Sequence, residues 1–210
     1  MCHVLGETDT SIVYWIGDNL YLNVTNRCSN NCYFCFRKYK DGMNGFNLKL
    51  SEEPTSDKIV AEIEEVINKR KWKEIVFCGF GEPLERLDTV LEVTRWIKKH
   101  HSITIRIDTN GQAQFINQGR DVVKELKEAG VDSVSVSLNV HNRQTYDYVC
   151  KPNFKDAFSE VLDFIRRARE KLDTEITAVT VPEVDISEMR EIAAKLGVRL
   201  RTRQFMPCFW

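Results

Sequence analysis

No stretch of this chain approaches the ~20 consecutive apolar residues that a membrane-spanning helix needs, so nothing in it reads as a membrane anchor. An excess of either charge is also missing. The 30 basic residues face 31 acidic ones, for a formal net charge of −1. That balance lacks the general electrostatic footprint of a nucleic-acid binder. The first residues, Met1-Cys2-His3-Val4-Leu5-Gly6-Glu7, carry neither the basic start nor the apolar core of an export signal. The cysteines do not form an even set. There are seven, Cys2, Cys28, Cys32, Cys35, Cys78, Cys150 and Cys208. An odd number without an export signal argues against a disulfide framework, and a reducing, cytoplasmic compartment is the expectation. Low-complexity linkers and composition breaks are absent as well, so the 210 residues read as one domain with room for a real core.

What is present is a regular alternation of strand-like and helix-like stretches. Ser11–Ile16 and Leu20–Thr25 flank Gly17-Asp18, which predicts an N-terminal hairpin, with 1–18 as an extension. Residues 57–70 put Ile59, Val60, Ile63, Val66 and Ile67 on one helical face, with Ser56 as the N-cap. Strands follow at 74–78, 103–109, 132–138, 175–181 and 198–204. Helices are expected at 88–99, 119–129, 154–171 and 187–196, the last stopping at Gly197. Gly42–Pro54 reads as one long irregular insertion, and 205–210 as an apolar tail. Six strand–helix repeats imply parallel strands with right-handed crossovers. A closed eight-fold barrel needs ~250 residues, so the fold class is α/β, an open three-quarter (β/α)6 TIM-like barrel.

The strands alternate where a doubly buried parallel strand would be continuously apolar. Ile103, Ile105 and Ile107 oppose Thr104, Arg106, Asp108 and Asn110. Val134, Val136 and Leu138 oppose Ser133, Ser135, Ser137 and Asn139. The apolar face suits the outer helices. The polar face must line a wet lumen or bind something polar, because unpartnered buried polar groups are costly.

Four motifs carry chemistry. Cys28, Cys32 and Cys35 follow the first long strand in the spacing C-x3-C-x2-C. Three thiolates can hold three irons of a [4Fe–4S] cluster and leave the fourth open, whereas an electron-transfer cluster takes four cysteines. A zinc site completed by Cys78 or a histidine is the alternative. Gly79-Phe80-Gly81-Glu82-Pro83 is a turn whose glycines let backbone approach a ligand and whose carboxylate can accept from an ammonium group. Thr109-Asn110-Gly111 and Ser137/Asn139 sit at the C-terminal ends of strands, where parallel barrels bind ligands. Turn chemistry explains each of them equally well in isolation. Arg199, Arg201 and Arg203 point one way along the last strand. They either grip a carboxylate or blunt an exposed edge. Cys78 and Cys150 read as small buried hydrophobes. Arg37, Lys38 and Lys40 form a short basic run beside the cysteines.

Taken together, the cysteine triplet, VFCGFGEP, DTNG and SVSLN resemble the radical S-adenosylmethionine (SAM) enzymes over about residues 19–205, and within them the small TatD-associated subfamily. The family pattern is more often GGEP, and Phe80 replaces its first glycine. The resemblance implies a [4Fe–4S] cluster on Cys28, Cys32 and Cys35 that cleaves SAM to a 5′-deoxyadenosyl radical, which abstracts hydrogen from a substrate. It implies SAM contacts from Phe34, Gly79, Gly81, Glu82, Asn110, Ser137, Asn139 and Arg203. Candidate catalytic residues are Cys208, Arg106 and Asp108. The expected partners are a flavodoxin- or ferredoxin-like electron donor, a polar small-molecule or macromolecular substrate and a TatD-type hydrolase. An activase that makes a glycyl radical on a protein, or a non-catalytic iron–sulfur or zinc protein, are the competing readings.

Overall fold

The computed structural model describes residues 10–205. Cys2, Cys208 and the rest of the tail after Phe205 lie outside the described residues, as does the start of the hairpin extension. The chain opens with the hairpin β1 (Val13–Ile16) and β2 (Asn19–Leu22), turned at Gly17 with φ 57°. The stretch expected to be irregular contains a second, two-residue hairpin, β3 (Gly42–Met43) and β4 (Phe46–Asn47). Helix α1 (Ser56–Ile67) is capped by Thr55, not Ser56. The Thr55 hydroxyl accepts from the amide of Lys58, and its extended backbone makes it the first residue outside the helix.

From there strand and helix alternate. β5 (Glu74–Phe77) leads to α2 (Leu87–His100), and β6 (Thr104–Thr109) leads to a short turn of helix, α3 (Ala113–Ile116). The helix expected over 119–129 is shorter, α4 (Val122–Ala129), because the Asp121 carboxylate caps it and Gly130 ends it at φ 105°. After β7 (Ser133–Asn139) comes a helix with no counterpart in the sequence reading, α5 (Arg143–Cys150). Asn142 caps it, and Tyr146, Val149 and Cys150 form its buried stripe. The expected helix 154–171 contracts to α6 (Ala157–Ala168). β8 (Asp173–Val179), α7 (Ile186–Leu196) and β9 (Arg199–Arg203) complete the chain.

The sheet runs β1-β2-β5-β6-β7-β8-β9, with β1 antiparallel and every later pair parallel. Parallel strands that follow one another in sequence order, without reversal, put all crossover helices on one face. The other face is then free to curve inward, and the six parallel strands form the expected open barrel. Curvature shows in the side chains: the Arg203 guanidinium on β9 reaches over β8 to Ser137 and Asn139 on β7.

The apolar faces behave as the alternation predicts. Ile105, Ile107, Val134, Val136 and Leu138 are fully buried against the helices. The opposite faces carry an internal ion ladder. Arg106 donates to Glu74 at 3.1 and 3.2 Å and also to Asp108. Ser135 donates to Glu175 at 2.8 Å, and Arg201 spans both from β9 at 2.9 and 3.0 Å. A polar lumen therefore exists, and much of its polarity is satisfied by its own residues. No described helix is long and apolar enough to cross a membrane.

Candidate metal and cofactor site

The three cysteines lie on the loop after β2, at the C-terminal mouth of the parallel strands. Each is partly buried, and none is in a disulfide. The loop ends in a tight turn of helix over Phe36–Lys38, and Cys35 donates its amide to the Cys32 carbonyl at 3.2 Å. Burial, with Glu82 adding repulsion, pushes the Cys28 thiol up to about 12. Contact with the Cys150 thiol, then burial, raises that of Cys32. Thiols held protonated in this way become ligands when a bound metal displaces the proton. The donor set is three soft sulfurs, which suits iron–sulfur chemistry. Among the described residues no three His, Cys, Asp or Glu side chains converge on a position for one ion, these cysteines included.

The end of α5 and the segment after β6 hold the loop. Asn31 donates to the Cys150 carbonyl at 3.0 Å and Tyr33 to that of Val149 at 3.2 Å, so Cys32 is bracketed against the last turn of α5. Asn153 donates to the Ser29 carbonyl at 2.8 Å. Beneath, Gln112 Nε2 donates to Asn30 Oδ1 at 2.6 Å and to the Tyr146 hydroxyl at 2.9 Å, which also accepts from Asn30 at 3.2 Å. Arg37, first read as part of a basic run, turns inward and donates to the Asn26 carbonyl at 2.9 Å.

The Gly79–Pro83 turn serves the loop in a way its sequence does not advertise. A Cβ on Gly79 would stand 2.2 Å from Asn23 Oδ1, and one on Gly81 would stand 2.3 Å from the Arg27 carbonyl. Both glycines are therefore required by the chain crossing at the start of the cysteine loop. Phe80 packs edge-on against Phe36, 5.7 Å between centroids, and lies under Arg37. Glu82 is buried, and its oxygens accept from the Leu84 amide (3.1 Å), the Thr109 hydroxyl (2.8 Å) and the Asn110 amide (2.6 Å). Its own amide donates to the Arg27 carbonyl at 2.8 Å. The carboxylate thus ties its own turn to the end of β6, and the Glu82 amide ties that turn to the cysteine loop. Burial lifts it to about 7 against the lowering effect of those hydrogen bonds.

Asn110 reaches from the end of β6 to the loop, donating to Ser29 Oγ at 2.8 Å with Cys28 Sγ at 3.9 Å. Ser137, Asn139 and Arg203 come together at the end of β7, both contacts of the Arg203 Nη2 being 3.3 Å. Arg199 and Arg201 instead pair with Asp173 and Glu175 at 2.9 Å. Phe34 packs edge-on against Tyr33, which packs edge-on against Phe205. Tyr33 and Phe205 border a recess of about 350 Å³. Cys78 is partly exposed and hydrogen-bonds Asp108, and burial raises both groups. It is a lumen residue and not the buried hydrophobe expected. Asn30, Gln112 and Tyr146 were not singled out by their sequence context, and Cys150, buried as expected, was read only as a small hydrophobe. Only the position of Gln112, directly after Thr109-Asn110-Gly111, hints at a role.

Known proteins resemble this chain in sequence and in fold. A curated GTP 3′,8-cyclase of Aliarcobacter butzleri is 29% identical over 197 residues, 91% of this chain and 56% of its own length. A probable GTP 3′,8-cyclase of Methanocaldococcus jannaschii is 26% identical over 196 residues, 90% of this chain and 59% of its own. The chain thus spans about half the length of the curated relatives it matches. Streptococcus suis SuiB, solved bound to precursor peptide SuiA, superposes with a TM-score of 0.69 at 14% identity, over 90% of this chain and 39% of that one. It shares the fold. The family model of the radical SAM superfamily matches residues 22–196, from the end of β2 through α7, and the chain belongs to that superfamily.

Proposed function

We propose that Cys28, Cys32 and Cys35 hold a [4Fe–4S] cluster, that SAM binds beside it across the strand ends, and that the lumen presents a polar substrate to them. Cluster and SAM together supply one-electron cleavage of SAM and abstraction of a hydrogen atom from the substrate. The observation that carries the reading is the convergence on the cysteine loop of β6 and β7. Asn110 lies against Cys28, and Asn139 lies against Cys150 beside Cys32.

The chain's own groups have distinct tasks. Arg203, which pairs with no carboxylate among the described residues, is held by Ser137 and Asn139 and can take the SAM carboxylate through a charge-assisted fork. The aromatic wall of Phe34, Tyr33 and Phe205 offers a flat apolar surface to the adenine base. Glu82, Gly79 and Gly81 act through position, fixing the turn against the loop. Asp108, beside Cys78 and ion-paired to Arg106, faces the lumen where a substrate proton or hydroxyl can meet it. A lumen lined by Glu74, Arg106, Asp108, Ser135, Glu175 and Arg201 suits a small polar substrate better than a protein segment. The electron comes from a flavodoxin- or ferredoxin-like donor.

The test is anaerobic reconstitution with iron and sulfide, followed by SAM and dithionite. Formation of 5′-deoxyadenosine and methionine is expected, with loss of both in Cys32→Ala. Cleavage that survives Cys32→Ala overturns the assignment of the ligands. SAM binding that never leads to cleavage by the loaded protein overturns the enzymatic reading.

A further inference from the structure

Cys150 is fully buried, yet its thiol is not packed among hydrocarbon alone. On one side the backbone bonds from Asn31 and Tyr33 press Cys32 onto the end of α5, and the two thiols are in hydrogen-bond contact. On the other side Asn139 Nδ2 donates to Cys150 Sγ at 3.8 Å. Asn139 reaches this position because β7 shifts register between Val136 and Asn139, and its own φ is 65°. A bulge of this kind re-aims a side chain. The Asn139 amide approaches Cys150 as a donor, so it cannot accept the Cys150 proton through that nitrogen. Once Cys32 gives up its proton to a metal, Cys150 carries the only proton between the two sulfurs, and the Cys32 sulfur becomes its acceptor.

We propose that Cys150 is a potential-setting positioning residue, whose S–H donates to the Cys32 sulfur and stabilises the charge that builds there when the iron–sulfur site takes up an electron. The inference rests on the reading of Cys32 as a cluster ligand. Hydrogen bonds to cluster sulfurs and the burial around them set the reduction potential, and partners beyond the ligands orient and tune them. The chain from Asn139 through Cys150 to Cys32 polarises in one direction, so each bond strengthens the next. A donor on the sulfur favours the more negative, reduced state. Its removal therefore shifts the potential downward.

The experiment is an anaerobic redox titration of the reconstituted protein, followed by electron paramagnetic resonance of the reduced cluster. Iron content and far-ultraviolet circular dichroism serve as controls. In Cys150→Ala the reduction equilibrium should fall about tenfold, ~59 mV for a one-electron couple. Cys150→Ser keeps an O–H donor in nearly the same shape and should recover at least half of that shift. An unmoved midpoint in Cys150→Ala, or a serine variant displaced as far as the alanine variant, overturns the proposal. Pulsed resonance on the wild-type holoprotein in H2O and D2O needs no variant. It should find a strongly coupled exchangeable proton at the reduced cluster, and its absence overturns the proposal too. A protein that loads no cluster defeats the proposed function. A loaded, SAM-cleaving protein whose potential ignores Cys150 defeats this inference alone.

Discussion

The cysteine loop is held on two flanks by two kinds of interaction. Its outer flank is tied by ion pairs in solvent. Arg27 meets Glu53 at 2.8 Å and Glu85 at 3.6 Å, with the Arg27 side chain 57% exposed. Its inner flank rests on Glu82 and on the Asn30–Gln112–Tyr146 set, in which Gln112 and Tyr146 are fully buried. Exposed pairs are screened and contribute little. Buried hydrogen bonds gain modestly but cost the full desolvation of whatever is left unpaired. The difference teaches that the loop is positioned from inside the barrel, and that the charged outer clasp mainly guides it.

The strongest way to break that asymmetry is Glu82→Ala. It leaves the amides of Leu84 and Asn110 and the Thr109 hydroxyl without their acceptor. A loss on the order of 3–5 kcal/mol is expected, read from the urea midpoint, together with loss of iron loading. Next is pH. The Glu82 carboxyl is raised from 4.5 to about 7 in the fold, so the folded protein binds the extra proton. Its share of stability is fully present below about pH 4.5 and is lost as pH rises through 7, on the order of 3 kcal/mol in all. Urea denaturation of the metal-free protein at pH 5 and pH 8 should show this loss, and Glu82→Gln should flatten it. Tyr146→Phe removes the acceptor shared by Asn30 and Gln112 and should cost about 2 kcal/mol. The smallest effect belongs to Arg27→Ala, below about 1 kcal/mol and shrinking with added salt. An Arg27→Ala loss equal to that of Tyr146→Phe would erase the distinction between the flanks.

Much of the frame is legible in the sequence because it is local. Alternation along Thr104–Thr109 and Ser133–Asn139 gave the correct buried faces, and Gly130 and Gly197 ended their helices at positive φ. Local rules failed on fine backbone geometry, on short polar segments and where the partner is distant. Thr55 displaced Ser56 as a cap by a single residue, a matter of backbone geometry that composition does not specify. Helix α5 was missed because it is short and mostly polar, with a buried stripe of only Tyr146, Val149 and Cys150. The Gly79-to-Glu82 turn was recognisable by spacing, but its reason was not. Its glycines answer to Asn23 and Arg27, and its carboxylate answers to Thr109 and Asn110. The contact between Cys32 and Cys150 joins two distant segments that no periodicity connects.

That separation also sets an order of events during synthesis. The cysteine loop leaves the ribosome well before the helix it rests on; Asn30 and its partner Tyr146 are 116 residues apart. Closing so long a loop is entropically demanding and is not rewarded until the intervening strands have paired. The three thiols are thus unsupported groups until α5 has been made, and gain their seat only when it docks. Metal delivery that precedes that docking meets flexible ligands; delivery that follows it meets a preformed cradle.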